Sequence, residues 1–472
     1  MRIRACIALF VAALAAVSGS AADPKGIEGI WEGPLKGGVI ELRLAFKVAK
    51  DKDGKLTATM DSIDQGAKDI PCGDVVFEKK RLEIGIPLLK AKYAATLTDD
   101  GMLLKGEYEQ NGSKHKLDLK RVEKVSTLNR PQHPKAPFPY ASEEVTFENA
   151  AAKIKFSGTL TLPKGNGPFP AVVLVSGSGP QDRDETILWH KPFLVIADFF
   201  ARRGIAVLRF DDRGVGKSEG KHDGATSADF ATDAYSAVLF LKGRKEIDPK
   251  RIGVMGHSEG GLIAPMVAAD HPADVGFIVL LAGPGVPGDE VLQRQQSEIL
   301  KAMGEKPEAI KLSAKMMAAI MPIAKQTGPA DERKAKLTKA IDLFAEGLTD
   351  DERKVVGESG DKAAAESIAA RLSDGWMQFF LAFDPRPTLA KVKCPVLAVN
   401  GELDLQVLHD QNVPAIEAAV KKGGNDKVTT KVFPGLNHLF QSTKTGSPSE
   451  YGQIEETFSP EVLEFVAKWI LR

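Results

Sequence analysis

Five short apolar runs constrain this chain more than any other feature. They read "AVVLVSG" (171–177), "AVLRFDD" (206–212), "RIGVMG" (251–256), "GFIVLLAG" (276–283) and "CPVLAVNG" (394–401). None alternates in the way of a strand with one wet face, so each is expected to be buried on both faces. Helix-period stretches such as "FLVIADFFARRG" and "DFATDAYSAVLFLKGR" stand between them. Buried strands alternating with helices predict a parallel sheet covered on both sides, an α/β domain. Between "GPGVPGD" and "FDPRPTLAKV", at about 285–387, the texture changes to Ala, Lys, Glu and Met at helical spacing, which predicts a helical insertion between two sheet strands. The chain ends in "SPEVLEFVAKWILR", an amphipathic helix with Ser459 as N-cap and Pro460 at its first position.

The N-terminal part has a different pattern. From about 27 to 122, stretches such as "VIELRLAFKV", "RLEIGIP" and "LLKGEYEQ" are short and alternating, with turn signals at Asp53-Gly54 and Asp100-Gly101. Short strands at this spacing predict a small all-β sandwich or barrel. Trp31 followed by Gly33 resembles the opening strand of lipocalin-like barrels. Four prolines fall within "RPQHPKAPFPY" (130–140), a stiff linker. The expected organisation is therefore a β-rich domain at 23–125, a Pro-rich linker at 126–141 and an α/β domain at 142–472.

Residues 1–22 read as an export signal: "MRIR" is basic, "ACIALFVAALAAV" is apolar and "SGSAA" offers small residues for cleavage. A membrane anchor is the alternative, but the run is short for a span. The mature chain is expected to be periplasmic or extracellular. Of three cysteines, Cys6 leaves with the signal, and Cys72 and Cys394 are expected as free thiols rather than a disulfide. Lys plus Arg equal Asp plus Glu, at 63 each, so no cationic surplus argues for nucleic acid. No spacing of His, Cys, Asp or Glu suggests a metal, and no later segment suggests a membrane span.

Two stretches fit G-x-S-x-G: "GKSEG" around Ser218 and "GHSEG" around Ser258. An exposed nucleophilic serine needs a buried strand ending in an abrupt turn, then a helix whose N-terminus faces the reacting centre. Ser258 has this context, with "RIGVMG" before it and "GGLIAPMVAADH" after it. Ser218 sits in the glycine- and charge-rich loop "RGVGKSEGKHDG". Ser258 is the nucleophile candidate and Ser218 a loop serine. The same loop mimics a phosphate-binding loop, but Asp211 stands where the first glycine is required.

A serine hydroxyl also needs a base, and the base an orienting carboxylate. Of eight histidines, His438 in "VFPGLNHLF" stands on a loop after a strand. His257 adjoins Ser258 and is expected to point away from it, while His133, His222 and His409 lie in polar loops. Asp404 follows the strand "CPVLAVNG", with Glu402 as competitor. Asp211, Asp212 and Arg213 are expected to shape the neighbouring loop through hydrogen bonds and ion pairs.

On "GHSEGG", "GELDLQV" and "GLNHLF", in that order, the chain from about 142 onward resembles the α/β-hydrolase superfamily. "SGSGPQDRD" and "DDRGVGKSEG" resemble its secreted bacterial esterases and serine-aminopeptidase-like branch. The resemblance implies a mostly parallel sheet with a helical cap, a Ser258–His438–Asp404 triad, and an oxyanion hole from the backbone N–H groups of Ser178 and Glu259. It implies no cofactor and no metal. Met303, Met316, Met317 and Met321, with Trp376, Phe379, Phe380 and Phe383, offer an apolar pocket in the cap or simply bury it. The function expected is a carboxylesterase acting on small-molecule acyl esters. A serine aminopeptidase is the alternative, with Glu290, Glu298 and Glu305 as candidate ammonium partners. A secreted binding protein on an inactive hydrolase scaffold is the reading from another class. Oligomeric state is not legible.

Overall fold

In the computed structural model, residues 26–36, 41–110, 112–356 and 362–472 are described. The expected export signal lies outside them. Residues 26–36, 42–63, 67–110 and 112–126 form one compact unit; 127–356 and 362–472, with 41 and 64–66, form the other.

The first unit holds β1 (Gly29–Lys36), β2 (Glu41–Lys50), β3 (Leu56–Ser62), β4 (Ala67–Pro71), β5 (Val75–Glu78), β6 (Arg81–Ile86), β7 (Ala91–Leu97), β8 (Leu103–Gln110), β9 (Ser113–Lys116) and β10 (Leu119–Val122). They form one sheet in the order β4-β3-β2-β1-β10-β8-β7-β6-β5, with β9 beside β8. Met60 on β3 and Val75 on β5, near opposite ends of that order, share one apolar core with Trp31, Phe46 and Tyr93, so the sheet curls around its own inner face. Trp31 is fully buried, its indole N–H donates to Ile27 O at 2.8 Å, and the Arg121 guanidinium lies 4.2 Å over its ring.

The second unit is built on β11 (Ala141–Asn149), β12 (Ile154–Leu162), β13 (Phe169–Val175), β14 (Ala206–Phe210), β15 (Ile247–His257), β16 (Phe277–Leu281), β17 (Val396–Gly401) and β18 (Val428–Phe433). Their order is β11-β12-β14-β13-β15-β16-β17-β18. Strands β11 and β12 run antiparallel to their neighbours, and from β14 onward every pair is parallel. Helices α1 (Pro192–Ala201), α2 (Ser227–Lys242) and α3 (Gly260–Asp270) follow β13, β14 and β15 in turn. Six more, α4 (Gly288–Ala302), α5 (Pro307–Ala324), α6 (Ala330–Glu346), α7 (Asp350–Val356), α8 (Lys362–Ser373) and α9 (Gly375–Ala382), fall between β16 and β17, with the short α10 (Arg386–Leu389). Helix α11 (His409–Lys422) precedes β18 and α12 (Pro460–Ile470) ends the chain. This is the α/β-hydrolase fold with a helical cap.

Alternation along single strands explains the apolar runs. Val173 packs toward α2, α3 and α11, whereas Val172 and Leu174 pack toward α1 and α12. Both faces are dry, so both parities are apolar. At the last helix Ser459 does occupy the N-cap, but its side chain makes no capping bond and its N–H donates to Phe440 O at 2.8 Å. Cys72 and Cys394 are both free thiols, and burial pushes them up to about 11 and about 12. Among the described residues no helix is long and apolar enough to cross a membrane, and no group of three metal-binding side chains occurs.

Candidate active site

Ser258 sits where β15 ends and α3 begins, with φ +53°. A non-glycine residue in that region is held there by its surroundings. The surroundings are backbone. A Cβ on Gly256 would lie 1.9 Å from Gly260 O, one on Gly260 would lie 2.2 Å from Val175 O, and one on Gly261 would lie 2.5 Å from Gly283 Cα. Strand, turn and helix pass too close for side chains, and the turn is pinned by Ser258 N–H donating to Leu281 O at 2.9 Å.

His438 and Asp404 meet. His438 Nδ1 is 2.9 Å from Asp404 Oδ2, and the two residues are 4 % and 1 % exposed. The other carboxylate oxygen accepts from the N–H groups of Gln406 and Val407 at 2.8 and 2.9 Å, and Asn400 Nδ2 adds a bond to Oδ2 at 3.1 Å. The His438 loop is tied by Asn437, whose Oδ1 accepts from Leu439 N and Gln441 N. Glu402 is exposed and accepts from Gly435 N, and no hydrogen bond among the described residues joins it to His438. Ser258 Oγ makes no hydrogen bond among the described residues, to His438 or to any other group. Such contacts commonly tighten only with substrate bound.

Ser258, Ser178 and Glu259 line one cavity of about 470 Å³, together with Val291, Leu292, Trp376, Met377, Phe380 and Val407. Among the described residues neither the Ser178 nor the Glu259 backbone N–H donates to another group of the chain. Of the cap residues singled out from sequence, Trp376 and Phe380 reach this cavity, while Met317 and Met321 are buried in the cap's own core with Leu337 and Leu381. Met303 is 44 % exposed. Met303, Met316 and Met317 line a second cavity of about 340 Å³, which shares Leu292, Gln295 and Arg371 with the first. Glu290, Glu298 and Glu305 line neither; the acids at the first are Asp223, Asp374 and Glu259.

Ser218 is committed elsewhere. Its hydroxyl donates to Asp211 O at 2.8 Å and accepts from Ser157 N at 3.0 Å. Asp211 is paired with Arg183, and Arg213 with Asp233. Asp212 accepts from Ser176 Oγ and from Gln181 N, and burial beside the Glu259 and Glu185 carboxylates pushes its carboxyl up to about 7.

Sequence reasoning missed the buried side-chain bonds around Ser258. Glu185 Oε1 accepts from Gly177 N at 2.7 Å and lies 2.9 Å from His257 Nδ1, and the other nitrogen of that ring donates to His438 O at 3.0 Å. Trp376 Nε1 donates to Glu259 Oε1 at 2.7 Å, an oxygen that also accepts from Ser227 Oγ at 2.5 Å. Burial raises the Glu259 carboxyl. The only signals were adjacency: His257 and Glu259 flank the serine, and Glu185 follows "SGSGPQDRD" by one residue.

Residues 191–442 match the model of the serine aminopeptidase S33 family. Esterase EstD of Thermotoga maritima is 31 % identical over 323 residues, which cover 67 % of this chain and 65 % of EstD. Thiohydrolase aneE of Aspergillus aculeatus is 35 % identical over 112 residues, 24 % of this chain and 32 % of that protein. Among solved structures, an esterase of Pyrococcus furiosus, Pf2001, aligns over 72 % of this chain and 96 % of its own at 20 % identity, with a TM-score of 0.40. The chain thus spans about two thirds or less of these two curated relatives. By the family match across more than half of its length, it belongs to the serine aminopeptidase S33 family of α/β-hydrolases.

Proposed function

We propose that this protein is a carboxylesterase that cleaves acyl esters through a Ser258–His438–Asp404 triad. The observation that carries the reading is the combination of a left-handed Ser258 at the strand-to-helix turn with the buried His438–Asp404 bond of 2.9 Å. Ser258 Oγ attacks the acyl carbonyl while His438 accepts its proton, and Asp404 holds the imidazole in the needed tautomer. Negative charge on the carbonyl oxygen falls to the backbone N–H groups of Ser178 and Glu259. Collapse expels the alcohol with the proton from His438, leaving an acyl-enzyme that water hydrolyses by the same route in reverse.

Val291, Leu292, Trp376, Met377 and Phe380 make much of the cavity wall apolar, which favours small or medium acyl groups. The similarity to EstD supports an ester substrate. The family's peptidase members favour a second reading, for which Asp223 and Asp374 at the cavity are better placed to hold an amino terminus than the glutamates chosen from sequence. The test is labelling with a fluorophosphonate probe in the wild type and in Ser258→Ala, with turnover of short p-nitrophenyl esters and of aminoacyl p-nitroanilides. Ester turnover with labelling lost in Ser258→Ala is expected. Turnover of the anilides alone would replace the esterase with an aminopeptidase. No labelling would leave a binding protein on a hydrolase scaffold.

Residues 1–22 are proposed as a cleaved export signal, which places the protein in the periplasm or outside the cell. Mass spectrometry of the protein from that fraction checks this; a retained Met1 would refute it.

A further inference from the structure

The serine-hydrolase reading requires two loops to keep a fixed separation around Ser258. One carries Ser178 and the other His438. A single buried pair touches both. Glu185, 5 % exposed, accepts from Gly177 N–H on the first loop, and His257, 6 % exposed, donates to the His438 carbonyl on the second. The two side chains join at 2.9 Å. Three groups converge on Gly177: a Cβ there would lie 3.3 Å from Glu185 Oε1, 3.3 Å from Ser258 Cβ and 3.6 Å from His257 Nδ1.

We propose that Glu185 and His257 form a carboxylate–imidazolium pair that positions the Ser176–Ser178 loop and the His438 backbone around Ser258. This rests on the serine-hydrolase reading and adds two positioning residues to it. The protonation state follows from the partners. A carbonyl oxygen can only accept, so Nε2 of His257 carries a proton. Nδ1 faces a carboxylate oxygen already taking a short 2.7 Å bond from Gly177 N–H, as an ionised acceptor does. A proton on Nδ1 as well completes the pair. Burial alone would lower the imidazole, but Glu185, the His438 carbonyl and Asp404 together raise it. The charged and titratable groups facing it are Glu185, Asp404 and the His438 ring, whose centroid is 4.8 Å away. The Phe440 ring stands edge-on to the His257 ring, with the centroids 6.5 Å apart. Because His257 directly precedes Ser258, the chain that sets the nucleophile also sets its base.

The experiment has two arms. Imidazole nitrogen NMR of the wild type, with His257→Gln as reference, is expected to show His257 still protonated on both nitrogens at a pH where an unperturbed imidazole is neutral. In Glu185→Gln, kcat and the rate of fluorophosphonate labelling are expected to fall roughly 10²-fold, since small displacements of catalytic groups have effects of that size. KM should stay within about threefold, because the pair touches no substrate. Adding His257→Gln to Glu185→Gln should cost little more, as expected of residues acting as a unit. A neutral His257 in the wild type overturns the pair, and so does Glu185→Gln labelled at the wild-type rate. The NMR arm does not depend on whether Glu185→Gln folds. A wild type that is not labelled at all overturns the serine-hydrolase reading first, and the positioning role with it.

Discussion

The loops around Ser218 and Ser258 carry the same five-residue pattern for opposite physical reasons. In the Ser218 loop the glycines are conformational: Gly216 and Gly220 have φ of +57° and +90°. In the Ser258 turn Gly256 and Gly260 are steric, filling places where any Cβ would strike backbone. There the positive φ belongs to the serine itself. One loop buries its hydroxyl in two structural hydrogen bonds; the other leaves it bare beside a cavity. A pattern of small residues around a serine therefore says that the backbone is tightly turned, and only the flanking elements say what the turn presents.

The sharpest way to break this contrast is the pair Ser258→Ala and Ser218→Ala. Ester turnover is expected to drop about 10⁴–10⁶-fold in the first, as for other serine triads. The second should leave kcat within about twofold but lower stability by about 1–2 kcal/mol, because Ser157 N loses its buried acceptor. Equal losses of activity in the two would end the distinction. Asp404→Asn should cost about 10⁴-fold in kcat with little change in KM, through the wrong tautomer at His438; steady-state kinetics decides.

Glycine replacements sharpen the same comparison by denaturant melts. Gly260→Ala must displace the Val175 carbonyl and is expected to cost about 3 kcal/mol or more. Gly220→Ala meets only the side chain of Ile154 closely, at 3.1 Å, and should cost about 1–2 kcal/mol for its positive φ.

A pH effect lies at the boundary between the two regions. Asp212 belongs to the Ser218 side by sequence but binds Ser176 next to the active-site loop. Its carboxyl is raised from 3.8 to about 7, so the folded state holds the proton more tightly than the unfolded chain. That contribution is fully present below about pH 4 and is lost as pH rises toward 7. Asp212→Asn, which keeps an acceptor for Ser176 and Gln181, should flatten this fall by on the order of 4 kcal/mol between those limits, about three pKa units at roughly 1.4 kcal/mol each. An unchanged pH profile of stability would remove the assignment.

Much of the α/β region was legible because a strand buried on both faces has no choice of residue type. Val172, Val173 and Leu174 must all be apolar, and a run of such residues identifies itself. The hairpin of β11 and β12 escaped notice for the converse reason. It lies at the sheet edge, where β11 carries exposed Glu144, Thr146 and Glu148, and β12 sets Ser157, Gly158, Thr159 and Thr161 among its apolar residues, so neither strand forms a continuous apolar run. In the β-rich unit the strand pattern was clear, yet the closing of the sheet around Trp31 and Tyr93 depends on twist accumulated over many strands.

Sequence by itself determined which serine stands at a strand-to-helix turn, because that depends on its immediate neighbours. It also ordered the nucleophile, acid and base candidates, each on a loop after a strand. Only the tertiary structure decided which groups surround them. Glu185 and His257 are 72 residues apart, and His257 and His438 181 apart. Trp376 reaches Glu259 from 117 residues away. Such bonds leave no local periodicity, because a polar side chain buried at a site answers to whatever partner the fold brings within 3 Å rather than to its neighbours along the chain.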